Sequence, residues 1–104
     1  MKKIILLLPL VTCFSIASAD DLDNYRQQIN QLDQELVKVI ADREQLSLKV
    51  GEYKKARNMP VYAPEREAKL KEKHTQMAEE AGVSPDLINN IFEQIMANSR
   101  ALQK

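Results

Sequence analysis

The chain has 104 residues and a formal net charge of zero, since 15 basic side chains balance 15 acidic ones. This length suffices for one small domain, and the balanced charge argues against a general binder of nucleic acids or anionic membranes. With no tryptophan and only 5% aromatic residues, the chain also lacks the stacking platform typical of single-strand binding. Its single cysteine permits no disulfide within the chain, so stability depends on helix packing or on oligomerisation.

The first 19 residues have the pattern of a secretory signal peptide. Lys2 and Lys3 form a positively charged start, residues 4–16 are mostly apolar, and Ala-Ser-Ala at 17–19 is a small-x-small cleavage site. The apolar run is too short for a membrane span. We therefore leave this segment out of the fold prediction.

Export follows from that pattern. We expect cleavage after Ala19, which places a mature domain of residues 20–104 in the periplasm or outside the cell. Cleavage removes two lysines and no acids, so the mature chain carries 13 basic and 15 acidic side chains, a net charge of −2. Lipidation of Cys13 is the alternative fate of the leader, although Thr12 fits poorly beside a lipoprotein attachment site.

Residues that start or end helices divide the rest of the chain into three segments. No segment alternates apolar and polar residues with period two, so the sequence predicts an all-α fold without strands. Pro60 and Pro64 end a first helix, and Pro64 suits the first turn of a second. Gly82 stops the second helix, and Ser84 caps a third. The predicted helices span about residues 22–57, 64–81 and 85–103.

The first predicted helix is about 54 Å long, and the other two are about 27 Å long each. The two short helices are joined by a tight turn and should pair with each other along part of the long one. The rest of the long helix needs a partner for its apolar stripe, and the simplest partner is a second copy in a symmetric dimer. A plain antiparallel coiled coil without a ligand is the alternative.

Arg43 interrupts the apolar stripe of the first helix. Eleven residues on, Lys54 projects only about 20° away from it and about 16 Å along the axis, so the two long side chains can converge on a small dianion. In the alternative reading, the Arg43 stem lies on apolar surface while its head reaches water. The stripe consists of Ile29, Leu32, Leu36, Val39, Ile40, Leu46 and Val50.

Arg26 cannot join that site easily within one chain. It lies about 25 Å before Arg43 and about 100° around the helix, so only an antiparallel partner would bring it there. Otherwise it is a solvated charge near the start of the helix.

Polar residues also break the pattern of the shorter helices. Ser99 and Gln103 are four residues apart on the third helix, so they share one face and can act together. In the alternative interpretation, they are ordinary polar residues of a solvated last turn. Arg66 and Glu67 lie in the first turn of the second helix, where Glu67 also suits the helix dipole. The cap position there is Ala63, which has no side-chain acceptor.

Other chemistries find little support in the sequence. His74 has no evident acid or cysteine partner, which disfavours a zinc site or a histidine-based triad. Gly51 and Gly82 are the only glycines, so there is no Gly-rich phosphate loop. We expect neither a metal nor a cofactor.

Five segments in order resemble the all-helical (AroQ-type) chorismate mutases over about residues 22–103, without gaps. Each motif alone is weak, but together they include every stripe-breaking residue above. The resemblance implies an interlocked homodimer of three-helix chains with two sites that share residues between chains. The first two segments lie within YRQQINQLDQELVKVIADR, namely the opening R-x-x-I-x-x-L-D pattern and the leucine-rich run that closes on Arg43. The other three are VGEYK, PVYAPERE and IFEQIMANSRALQ.

The resemblance also implies how such a site binds the substrate's carboxylates. Arg43 and the partner's Arg26 would bind the two carboxylates of chorismate. Ser99 and Arg66 would assist them.

The remaining roles concern the breaking bond and the ring. Lys54 and Gln103 would hydrogen-bond the ether oxygen of the breaking bond, and Glu67 would accept from the ring hydroxyl. Ala63 stands where the family has Asp. In the family, the backbone N–H at this position contacts the ring hydroxyl, and Ala63 retains that N–H. The helix, however, loses a carboxylate cap worth about 1 kcal/mol.

The implied reaction is the concerted rearrangement of chorismate to prephenate. It needs a flexible dianion held in its reactive conformer and stabilisation of charge growing on the ether oxygen. An isochorismate–pyruvate lyase on the same scaffold is the alternative enzyme, since YAPER resembles that branch, whereas Glu67 favours the mutase. A non-catalytic exported helical dimer is the alternative outside enzymes.

Overall fold

A computed structural model describes residues 7–104, with side chains described from Asp20 onward. The described residues form three α-helices and their loops, without strands, which confirms the all-α prediction. The chain divides within the first helix into two compact units, Met1–Ile40 and Ala41–Lys104, and each is described by itself. The helices are α1 (Leu7–Ala56), α2 (Pro64–Ala81) and α3 (Pro85–Gln103).

The long helix α1 begins earlier than predicted, at Leu7 rather than near residue 22. Neither glycine nor proline occurs from residue 10 to residue 50, so no helix breaker separates the apolar leader from the following amphipathic segment. Pro9 lies in the first turn, where proline is tolerated. The proposed leader lies partly outside the described residues, which omit 1–6, and its cleavage stays a prediction.

The C-terminus of α1 is closed by a left-handed residue. Asn58 has φ 52°, and the N–H of Met59 donates to the carbonyl of Lys54 at 2.9 Å. Asparagine is one of the few residues that adopt this conformation readily, so it stands here where many helices have glycine. Pro60 comes two residues after Asn58 and cannot continue the helix.

Helices α2 and α3 span the ranges predicted from their caps. Gly82 has φ 73° and ends α2, with the N–H of Val83 donating to Ala78 O at 2.9 Å. The Ser84 hydroxyl accepts from the N–H of Leu87 at 3.3 Å, and Pro85 occupies the first position of α3. Both signals are local, which is why the sequence alone was sufficient to find them.

The two shorter helices pack against each other, as predicted. The His74 and Phe92 rings stack with centroids 3.6 Å apart, and Asn89 Nδ2 donates to Thr75 Oγ1 at 3.0 Å. Ala78 in this interface is only 2% exposed.

Gly51 lets α1 and α3 approach closely. A Cβ added at this position would lie 2.7 Å from Gln103 Cα and 3.0 Å from its carbonyl oxygen. Glycine inside a helix costs about 1 kcal/mol relative to alanine. This backbone contact explains why α1 carries a glycine here, and it brings Gln103 beside the second turn from the end of α1.

Most large apolar residues of the described chain remain exposed, and Ala78 is the only buried hydrophobic residue among them. Extended apolar surfaces of this kind are typical of sites where a protein binds other molecules. Within the described residues, no helix has the length and apolar content needed to cross a membrane. In the Met1–Ile40 unit the exposed residues include Leu22, Tyr25, Ile29, Leu32, Leu36 and Val39.

Candidate active site

A cavity of about 300 Å³ opens in the Ala41–Lys104 unit, with side chains contributed by α1, α2, α3 and the loop before α2. All but one of the residues predicted for the site line it. Arg26 is the exception, because it is an exposed residue of the Met1–Ile40 unit. The predicted residues lining the cavity are Arg43, Lys54, Ala63, Arg66, Glu67, Ser99 and Gln103.

Lys54 is held at one end of this cavity by two hydrogen bonds. Its Nζ donates to the carbonyl of Val61 and to Gln103 Oε1, both at 2.8 Å. An ammonium has three donors, so one proton is left for a ligand. Because the Gln103 oxygen is engaged by Lys54, its amide nitrogen is the end that remains to donate to a bound molecule.

Arg43 belongs to a small buried hydroxyl cluster. Arg43 Nη1 donates to Ser99 Oγ at 2.7 Å, and Ser47 Oγ donates to the same oxygen at 3.1 Å. Ser47 and Ser99 are only 7% and 8% exposed. With both lone pairs of Ser99 occupied, its own proton is available to donate to an anion in the cavity.

Glu67 forms an ion pair that the sequence did not predict. Arg100 Nη1 donates to both carboxylate oxygens of Glu67, at 2.6 and 2.8 Å. The pair joins α2 to α3. Arg100 also lies 5.7 Å from the ring centroid of Tyr62.

The lining of the cavity is strongly cationic. Four cations, Arg43, Lys54, Arg66 and Arg100, face a single carboxylate, Glu67, for a net formal charge of three positive. Such an excess in a confined cavity attracts small anions. A bound dianion would neutralise most of this positive charge.

His74 is a residue of α2 and is only 5% exposed. Burial lowers its pKa, and the neighbouring charges of Arg43 and Arg66 lower it further. The imidazole is therefore neutral near pH 7, and its ring packs on Phe92. It serves as part of the α2–α3 interface.

A second cavity of about 530 Å³ lies between α2 and α3. Glu67, Met96 and Arg100 line both cavities, so the ion pair forms part of the wall between them. Within the described residues, no group of three or more His, Cys, Asp or Glu side chains is placed to hold a metal ion.

Comparison with known families agrees with the geometry of the cavity. A family model described as chorismate mutase type II matches residues 25–104. The chain belongs to this family. The match begins after the predicted leader and includes every residue that lines the cavity.

The chain is also similar to individual curated proteins. The chain is 39% identical over 80 residues to the T-protein of Haemophilus influenzae, covering 77% of this chain and 21% of that protein. It is 29% identical over 85 residues to the chorismate mutase of Methanocaldococcus jannaschii, covering 82% of this chain and 86% of that protein. A 4-amino-4-deoxychorismate mutase of Streptomyces pristinaespiralis is 25% identical over 87 residues, covering 84% and 67%. The chain spans about a fifth of the length of the Haemophilus influenzae T-protein and of a second T-protein, from Enterobacter agglomerans.

Sequence reasoning about this chorismate mutase type II chain missed two polar side chains that line the cavity, Ser47 and Arg100. Ser47 lies four residues after Arg43, so helical spacing places it on the same face, and that signal was available. Arg100 follows Ser99 directly and points to Glu67, 33 residues away. Nothing in the spacing of α3 alone indicates that contact.

Proposed function

We propose that this chain is a chorismate mutase, which rearranges chorismate to prephenate in the 300 Å³ cavity. The observation that carries the proposal is the convergence of Arg43, Lys54 and Gln103 on one small cationic cavity. Family membership supports the same reaction. The substrate is a compact dianion, which suits the net charge of the lining.

The carboxylates of chorismate bind at the Arg43 end. An arginine presents donors in a planar fork that matches a carboxylate. Arg43 is already oriented by Ser99, which has a proton left for the same carboxylate. Arg66 adds a third donor group from the first turn of α2. These contacts hold the flexible dianion in its compact reactive conformer, a proximity effect.

Lys54 and Gln103 act at the ether oxygen. As the carbon–oxygen bond breaks, negative charge grows on this oxygen, and the third proton of Lys54 and the amide of Gln103 are placed to donate to it. Both groups are preoriented by their mutual hydrogen bond at 2.8 Å, so little reorganisation is needed in the transition state. The step is concerted, with no covalent intermediate on the protein.

Product analysis tests the proposed reaction. The full chain is expressed with its leader, purified, and incubated separately with chorismate and isochorismate. Prephenate from chorismate is the expected product. Salicylate and pyruvate from isochorismate alone would assign the chain to the lyase branch instead, and no turnover of either by a folded protein would leave only a binding role.

We further propose that the active form is a homodimer in which Arg26 enters the partner's cavity. Six exposed apolar residues of the Met1–Ile40 unit recur at alternating steps of three and four, the spacing of a coiled-coil seam. They are Leu22, Tyr25, Ile29, Leu32, Leu36 and Val39. A second copy of the chain would cover them. Arg26 lies next to Tyr25 of this seam and is exposed in the single chain.

A mixture of two inactive variants tests the exchange of Arg26. Arg26→Ala and Arg43→Ala chains are each inactive in this account, because each spoils both sites of its own dimer. In a mixed dimer, one site regains both arginines, so unfolding and refolding the two variants together should restore about a quarter of the wild-type rate. If Arg26 acted within its own chain, the mixture would stay inactive.

We also propose that residues 1–19 direct export and are removed after Ala19. The support is the charged start, the apolar run and the Ala-Ser-Ala site. Intact mass measurement of protein from the periplasmic fraction of a Gram-negative host should give a chain beginning at Asp20. A mass increased by a lipid would indicate modification at Cys13 instead.

A further inference from the structure

We propose that Arg100 determines specificity at the substrate ring, by making the site favour a neutral hydroxyl over a charged amine. The inference rests on the proposed chorismate mutase function and extends it to the substrate's ring substituent. Arg100 is outside the set of residues predicted from the sequence.

Glu67 is the only carboxylate that lines the 300 Å³ cavity. A hydroxyl of a bound dianion seeks an acceptor, and among these side chains a carboxylate is the strongest one. Glu67 is therefore the natural partner for a hydroxyl on the ring. The remaining charged side chains of the cavity are cations, which cannot accept a hydrogen bond.

Arg100 restricts which donors Glu67 can accept. Its Nη1 contacts both carboxylate oxygens, at 2.6 and 2.8 Å, and the two side chains are 35% and 24% exposed. A carboxylate has acceptor sites to spare, so a neutral hydroxyl can still bind beside the guanidinium. Any donor bound to Glu67 lies within about 6 Å of that guanidinium. An ammonium at this place would meet a like charge that water screens only in part.

The simplest competing explanation is that the Glu67–Arg100 pair only fastens α2 to α3. Both explanations predict some loss of stability when Arg100 is replaced. They differ in the expected ratio of kcat/KM for the two substrates, because a contact that only stabilises helix packing affects a hydroxyl substrate and an amine substrate alike. The amine substrate is 4-amino-4-deoxychorismate, which differs from chorismate at the ring substituent and carries a positive charge near pH 7.

The experiment compares kcat/KM for chorismate and for 4-amino-4-deoxychorismate near pH 7, using chains expressed with their leader and purified after export. Arg100→Gln removes the charge and keeps a hydrogen-bond donor for Glu67, and Arg100→Met is the second neutral variant should Arg100→Gln fold poorly. Arg100→Lys keeps the charge. Lys73→Met, on the exposed side of α2, is the control that loses one positive charge away from both cavities.

The wild-type chain is expected to prefer chorismate. Arg100→Gln and Arg100→Met should shift the ratio of the two kcat/KM values toward the amine by about tenfold, whereas Arg100→Lys and Lys73→Met should preserve it. An unchanged ratio in the neutral variants, with chorismate still converted, would overturn the inference alone. Failure of the wild-type chain to convert chorismate would overturn the proposed function and the inference with it.

Discussion

Three polar side chains are buried in the described part of the chain, namely Ser47, His74 and Ser99. The two serines share one hydrogen bond and support Arg43. His74 is the one titratable group among the three. Its ring faces Phe92 on α3 and the charges of Arg43 on α1 and Arg66 on α2.

His74 should make the stability of the fold depend on pH. Burial and the two arginines lower the pKa of folded His74 below its ordinary value, which is about 6.5. The unfolded chain then binds more protons below that pH, so the free energy of unfolding falls as the pH drops through about 6.5 toward the folded pKa. His74→Leu removes this titration, and urea unfolding at fixed protein concentration between pH 8 and 5 should show a flatter dependence.

The His74→Gln variant controls for lost packing, since it keeps a polar side chain that does not titrate. It should share the flatter pH dependence of His74→Leu while differing in absolute stability. Equal loss of stability with falling pH in all three proteins would contradict the role assigned to His74.

At the scale of the helix, α2 starts without a side-chain cap. Ala63 occupies the cap position with φ −126° and ψ 85°, and no side chain there accepts from the first turn. Ala63→Asp should therefore stabilise the protein by about 1 kcal/mol, through a hydrogen bond to the first turn and through the helix dipole. Urea unfolding measures the gain. Ala63→Asn supplies the cap without the charge, and no gain in either variant would show that the loop cannot accept a cap.

The crossing of α1 and α3 depends on Gly51. Gly51→Ala would raise the helix propensity of α1 by about 1 kcal/mol, yet its Cβ would meet Gln103 Cα at 2.7 Å. Because that neighbour is backbone, the last turn of α3 must shift and the Lys54–Gln103 hydrogen bond should be lost. We expect kcat to fall about tenfold, measured beside Gln45→Ala as an exposed α1 control. An unchanged kcat would mean that Gln103 does not act at the ether oxygen.

The elements differ in how far sequence could predict them. The bounds of α2 and α3 were predictable because Pro64, Gly82 and Ser84 act on the residues next to them. The start of α1 was not, since nothing breaks the helix between the leader and the amphipathic segment. The contact of Glu67 with Arg100 depends on how α3 is rotated against α2, and no local pattern encodes that rotation.

At the scale of the whole molecule, the exposed seam of α1 predicts dimerisation. Leu32 lies in the seam and is 63% exposed in the single chain, so Leu32→Glu would place a charge in the proposed interface. Sedimentation equilibrium should find wild-type dimers and Leu32→Glu monomers with little activity. Gln34→Glu adds the same charge two residues away on the opposite side of the helix and should stay dimeric. A wild-type monomer with full activity would contradict the proposed assembly.

The proposed function requires that the cationic cavity perform the rearrangement, with Lys54 donating to the oxygen of the breaking bond. The most direct measurement is therefore kcat/KM for chorismate in Lys54→Met beside Lys55→Met, its exposed neighbour on α1, with helix content checked by circular dichroism. We expect a loss of about a hundredfold or more for Lys54→Met and wild-type values for Lys55→Met. A folded Lys54→Met chain that converts chorismate as fast as the wild type would contradict the proposed function.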